Sequence, residues 1–171
     1  MASSPIGQQT EPEAAPTLVH GLRWGLKASF VDYVRRMPDG RGSVGDGALP
    51  VGQGDLFFEF DGPLDESRGW SFRGDVRFSG HMGMLFVRIA RPQVTLSGDT
   101  FTLSVEDPAG VEDAPRLLLV TGTIRRVESP SGTDVWLSED VRLTAAGAEV
   151  FNDAYAEGEP FEPIIVQVPS A

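Results

Sequence analysis

From Leu56 onward, apolar residues in this chain recur in short runs, often at every second position, and turn-forming residues separate the runs. That period puts alternate side chains on opposite faces of an extended backbone, so it constrains the fold more than any other feature here. Trp70, Phe72, Val76 and Phe78 alternate with Arg73, Asp75 and Arg77, as in a strand with one wet face. Leu56 to Phe60 runs into the turn signal Asp61-Gly62-Pro63. Gly80-His81-Met82-Gly83 predicts a turn, followed by a strand from Met84 to Ile89. Val94–Leu96 and Phe101–Val105 flank Ser97-Gly98-Asp99, a hairpin signal. Leu117–Val127 and Val135–Leu143 flank a second one at Ser129-Pro130-Ser131-Gly132, and Ile164–Val168 reads as a last strand. Strands at this spacing imply an antiparallel β-sandwich or barrel.

Before this series lies the best helical pattern. Leu26, Ser29, Phe30, Tyr33 and Met37 fall on one face of a helix expected over Leu22–Met37, which Pro38-Asp39-Gly40 would end. Residues 38–54 are so rich in glycine that no regular core element is expected there. Thr144 is placed to cap a short helix from Ala145 to about Asn152, with Gly158 available as its stop. Residues 1–17 are rich in Pro, Ala, Gln and Glu and read as a disordered tail, leaving residues 18–169 as a single domain. The expected class is therefore mostly β with helices (α+β), with one long N-terminal helix and one short C-terminal helix.

Composition removes whole classes of function. The formal charge is −11, from 25 acids against 14 bases, and the bases are scattered. Nucleic acid and anionic membrane surfaces are bound through basic footprints, so neither is an expected partner. No apolar run approaches the ~18–20 residues a membrane-spanning helix needs. The chain has no cysteine, which excludes disulfides, thiolate nucleophiles and iron–sulfur ligation. With only His20 and His81, a three-histidine metal site within one chain is also excluded. The first residues carry neither a basic start nor an apolar signal core, so a cytoplasmic location is expected.

Few motifs carry chemistry. Gly40-Arg41-Gly42-Ser43-Val44-Gly45 matches G-x-G-x-x-G, but a dinucleotide fingerprint needs a strand before it and a helix after it. Here the helix comes first, and a flexible loop is the better reading. There is no G-x-S-x-G elbow, and the acidic residues Glu106, Asp107, Glu112 and Asp113 lack EF-hand spacing. Tyr33 lies on the apolar helical face with Ser29 one turn before it, an arrangement that suits either an ordinary core or a pocket with few polar atoms. His81 sits in a glycine-bounded turn, where the backbone can approach a ligand closely.

Taken together and in order, three segments resemble the HtaA haem-binding domain family. Leu22-Arg23-Trp24-Gly25-Leu26-Lys27-Ala28-Ser29-Phe30-Val31-Asp32-Tyr33 resembles the family's opening, W-G-x-K-x-S-F-x-x-Y. Phe78-Ser79-Gly80-His81-Met82-Gly83-Met84-Leu85 is similar to its F-x-G-H-x-G-x-L turn, and Leu143 through Gly158 to its closing segment. The resemblance implies a non-enzymatic domain that holds ferric haem. Tyr33 would supply the axial oxygen to iron, His81 would hydrogen-bond to that oxygen, and Ser29 and Tyr155 would touch the haem. Met82 would add a thioether beside the site. Ferric iron and phenolate are both hard, and a donor beside the phenolate stabilises its charge.

Haem carriage or buffering is the expected role, with haem or another flat apolar molecule as partner; homodimerisation is compatible with this. Two alternatives stay open from sequence. One is an enzyme of small-molecule biosynthesis using the same pocket with or without haem, and the other is a haem-free interaction domain.

Overall fold

The computed structural model describes residues 20–171. The expected N-terminal tail, residues 1–17, lies outside the described residues. Twelve strands and two helices follow in the order β1 (Gly21–Trp24), α1 (Ala28–Arg36), β2 (Arg41–Gly45), β3 (Ala48–Val51), β4 (Asp55–Pro63), β5 (Gly69–Phe72), β6 (Asp75–Gly80), β7 (Leu85–Ala90), β8 (Gln93–Ser97), β9 (Thr100–Val105), β10 (Leu117–Val127), β11 (Thr133–Leu143), α2 (Ala145–Val150) and β12 (Ile164–Pro169). The mostly-β class with two helices is therefore correct.

Eight strands close into an antiparallel barrel in the order β1-β12-β11-β10-β9-β8-β5-β4, with β4 returning to β1. Strand β3 extends the ring beside β4. A separate three-stranded sheet, β2-β6-β7, stands apart from the ring. Closure removes strand edges that would otherwise recruit other chains. One apolar cluster joins the barrel interior to both helices, with Trp24, Phe58, Phe72, Phe101 and Phe151 among its fully buried members. No helix among the described residues is long and apolar enough to cross a membrane.

The long N-terminal helix is not formed. Leu22 and Trp24 are buried on either side of exposed Arg23, a period of two that pairs residues 21–24 with both β4 and β12. Leu26 then takes a left-handed conformation (φ 56°), and the helix covers only residues 28–36. Sheet pairing has overridden a helical pattern that the spacing of Leu26 only imitated. The glycine-rich stretch also differs from expectation, since it forms β2 and β3 with backbone pairing and mostly exposed side chains. Asp61-Gly62-Pro63 is not a turn either. It continues β4 past an irregularity between Phe60 and Gly62. The alternating run from Trp70 to Phe78 is split by Gly74 (φ 137°), which sends β5 into the barrel and β6 into the small sheet.

Both expected hairpins, β8–β9 and β10–β11, are present. Thr144 caps α2 by accepting a hydrogen bond from the Gly147 amide at 2.9 Å. Gly158 does not stop that helix; left-handed Asn152 and Asp153 follow it directly.

Asp75 ties the small sheet together. It accepts from Arg77 within β6 (3.0 Å) and from Arg88 on β7 (2.9 Å). Hydrogen bonding from Arg77, then from Arg88, lowers its pKa to about 2. A carboxyl held below its unfolded value stabilises the fold above that value and loses the contribution as pH falls through the folded one. We expect Asp75→Asn to cost about 1–2 kcal/mol at neutral pH, the larger share from the sheltered Arg88 contact. Thermal melts of both proteins should converge as pH falls from about 4 toward about 2.

Candidate functional site

Helix α1 buries Phe30 and Val34 and leaves Ser29 and Tyr33 toward solvent. Phe30 packs edge-on to Phe78 of β6 and to Phe151 after α2, which fixes the helix against both. Tyr33 is consequently held at its base while half of its surface stays exposed (50%). Its hydroxyl hydrogen-bonds to Nε2 of His81.

The turn carrying His81 links β6 to β7 in a tight one-turn helix. His81 (φ 49°) and Met82 (φ 57°) are both left-handed, at a cost of roughly 1–2 kcal/mol each for residues with a side chain. Asp39 compensates. Its carboxylate accepts the backbone N–H groups of His81 (3.1 Å) and Met82 (2.7 Å). The Met82 amide is the main cause of an Asp39 pKa below the ordinary carboxylate value, with the His81 amide adding to it. Beneath the turn, Met37 Sδ accepts from the same His81 amide at 3.2 Å. A Cβ on Gly80 would run into that sulfur, so a side chain there would force the end of Met37 to shift.

A second hydroxyl pair lies one turn earlier in α1. Ser29 Oγ and Tyr155 Oη are 3.0 Å apart. Tyr155 is steadied by edge-on contacts with Phe151 and Phe161 and by Lys27 Nζ, 5.6 Å from its ring centre. Lys27 is itself fixed by the Pro160 carbonyl at 2.6 Å and Glu159 at 3.1 Å.

The structure thus brings Tyr33 and His81 together as one pair and Ser29 and Tyr155 as another. It leaves Met82 almost fully exposed (96%), with Met84 (85%) and Phe86 also exposed after the turn. An exposed methionine in the same turn as a paired polar atom offers a surface suited to a ligand. Asp39 was missed from sequence, where Pro38-Asp39-Gly40 signals only a helix end. Lys27 was visible in the opening motif without a role. No group of three or more His, Asp or Glu residues converges on a metal site among the described residues.

The family model of HtaA (Htaa) matches residues 20–167. Among solved structures, the chain is similar to the C-terminal domain of HtaA from Corynebacterium glutamicum, at TM-score 0.67 and 23% identity over 87% of this chain and 94% of that one. It is also similar to the haem-binding protein HtaB from the same organism, at TM-score 0.63 and 21% identity over 88% and 93%. A domain-swapped dimer of a histidine-to-alanine variant of the C-terminal HtaA domain aligns at TM-score 0.58 and 22% identity over 84% and 92%. A search of curated proteins returned no significant match.

Replacing Asp39 with Ala removes the acceptor for both strained amides. Exchange of the His81 and Met82 amide hydrogens should then quicken by roughly tenfold, as expected for loss of a charge-assisted hydrogen bond. In the unaltered chain the same amides should loosen on acidification, because protonated Asp39 is a poorer acceptor.

Proposed function

The chain belongs to the HtaA family, and from that premise we propose that it binds ferric haem, with the Tyr33 hydroxyl as the axial ligand. The observation that carries this reading is the hydrogen bond between Tyr33 and His81 Nε2 on an exposed face. Residues and ligand fit in two respects. Phenolate is a hard anionic oxygen and suits ferric iron, and the exposed Met82 in the His81 turn offers apolar surface for a flat macrocycle. Bound here, ferric haem would supply a hard Lewis acid that favours the phenolate form of Tyr33. With its proton on Nε2, His81 would donate to the Tyr33 oxygen and stabilise negative charge there, and the Asp39-held turn keeps the imidazole in place.

Ser29 and Tyr155 supply a pair of hydroxyls for the edge of the ligand, one turn along α1. The haem-binding description of the structural neighbour HtaB supports the choice of ligand. We assign carriage or buffering as the role of this site. We take residues 18–169 to act as one domain.

Adding ferric haem to the purified full-length protein should give a phenolate-type ferric absorption spectrum, and Tyr33→Phe should lose it. His81→Ala should keep the spectrum and bind haem about 10–100-fold more weakly, the usual effect of removing a partner behind a ligand. Unchanged haem binding by Tyr33→Phe would overturn the axial assignment, and no uptake by the unaltered protein would overturn the function.

A further inference from the structure

The glycine-rich stretch, from Gly40 to Gly54, also walls a second recess. It opens beside Val31 and Arg35, about 160° around the α1 axis from Tyr33 at 100° per residue. The recess measures about 310 Å³, at the lower end of small-ligand sites. Val34, Leu56, Val76 and Phe78 make its floor, and β2 makes one wall through Gly42 and Val44.

Gly42 is the informative residue. Its φ lies outside the left-handed region, so the backbone does not demand glycine there. Crowding does not demand it either, because a Cβ would meet only the Phe78 ring at 3.6 Å and the Arg77 carbonyl at 4.0 Å. Gly40, two residues earlier, differs: a Cβ there would strike the Val34 carbonyl. Glycine inside a strand weakens it, and here neither strain nor contact offsets that cost. What the missing side chain does is keep the recess open against Phe78.

Charge at the mouth selects the ligand. Asp55 is engaged by Arg23 at 2.7 Å. Arg35 makes no ion pair among the described residues, which leaves a guanidinium at the rim of an apolar cavity. Asp32 and Glu162 line an adjoining recess that shares Val31, Arg35, Gly54 and Asp55 with this one, and Glu162 accepts the Ala28 amide at 3.3 Å. We propose that the recess binds a small monocarboxylic acid with an apolar body, of the medium-chain fatty acid type, its tail on Phe78 and its carboxylate on Arg35. The site is independent of the haem reading and lies on the other side of the same helix.

Calorimetric titration of the haem-free full chain with decanoate, decanol and decylamine tests this. Decanoate should bind, decanol should bind about tenfold more weakly, and Arg35→Gln should bring decanoate down to the level of decanol. Gly42→Leu should abolish decanoate binding while keeping a cooperative melt, and Tyr33→Phe should leave it unchanged. Should Gly42→Leu fail to fold, methyl chemical shifts of Val34, Val44 and Val76 in the unaltered chain give the location, since decanoate must move them. Three results overturn the proposal: no binding of decanoate, tighter binding of decylamine, or shifts confined to residues outside the recess.

Discussion

The four residues of β1 close the barrel, and the placement of everything around the site follows from that closure. Gly21 to Trp24 pair with Gln167 to Ile164 of β12 on one side and with Glu59 to Leu56 of β4 on the other. Without β1, both β4 and β12 would present unpaired backbone along a ring that is otherwise complete. The fit is tight enough to dictate sequence. A Cβ on Gly21 would collide with the Phe57 ring and the Phe58 carbonyl, so only glycine lets β1 lie this close to β4. At the other end, Trp24 fills the core and donates from Nε1 to the Glu162 carbonyl at 2.8 Å.

Closure also delivers α1. Immediately after Trp24, left-handed Leu26 turns the chain off the barrel, and its carbonyl accepts the Glu162 amide at 2.8 Å. The helix therefore starts at a point fixed by two contacts with the same residue of the segment before β12. From there Phe30 and Val34 reach the core, and Ser29 and Tyr33 face outward on one flank. A short helix is marginal alone, so its direction comes from this anchoring and from the aromatic contacts of Phe30.

The same physics explains what could be read from sequence. Strands β8 to β12 were legible because their alternation coincides with a buried barrel face and their turns carry standard signals. Tyr33, His81, Ser29 and Tyr155 were legible as a set only through the resemblance of three ordered segments. The region before Leu56 was misread for two reasons. Residues 22–24 satisfy a strand period that Leu26, Phe30 and Met37 disguise as helix, and β2 pairs through backbone amides that glycine supplies as well as any residue. Asp39 was illegible because its role depends on residues more than forty positions away. No local pattern announces a carboxylate that accepts from two left-handed residues in a distant turn.

That distant contact decides how the Tyr33–His81 pair is aligned. The tail of α1, the Pro38-Asp39-Gly40 segment and the Gly80–Gly83 turn form one interlocked unit. Met37 Sδ lies under Gly80 and takes the His81 amide, Asp39 takes that amide and the next, and the Gly40 amide returns to the Met37 carbonyl at 3.0 Å. Tyr33 is one helical turn before Met37, so the residue that supplies the hydroxyl and the residues that orient the imidazole share one short stretch of chain. Two consecutive left-handed residues are unfavourable on their own, and an unsupported turn would relax and swing His81 away from Tyr33. The support comes from the segment that ends α1 rather than from the barrel. The pair therefore keeps its geometry as long as the end of the helix is intact, while Met82, which makes none of these side-chain contacts, is left free to meet a ligand.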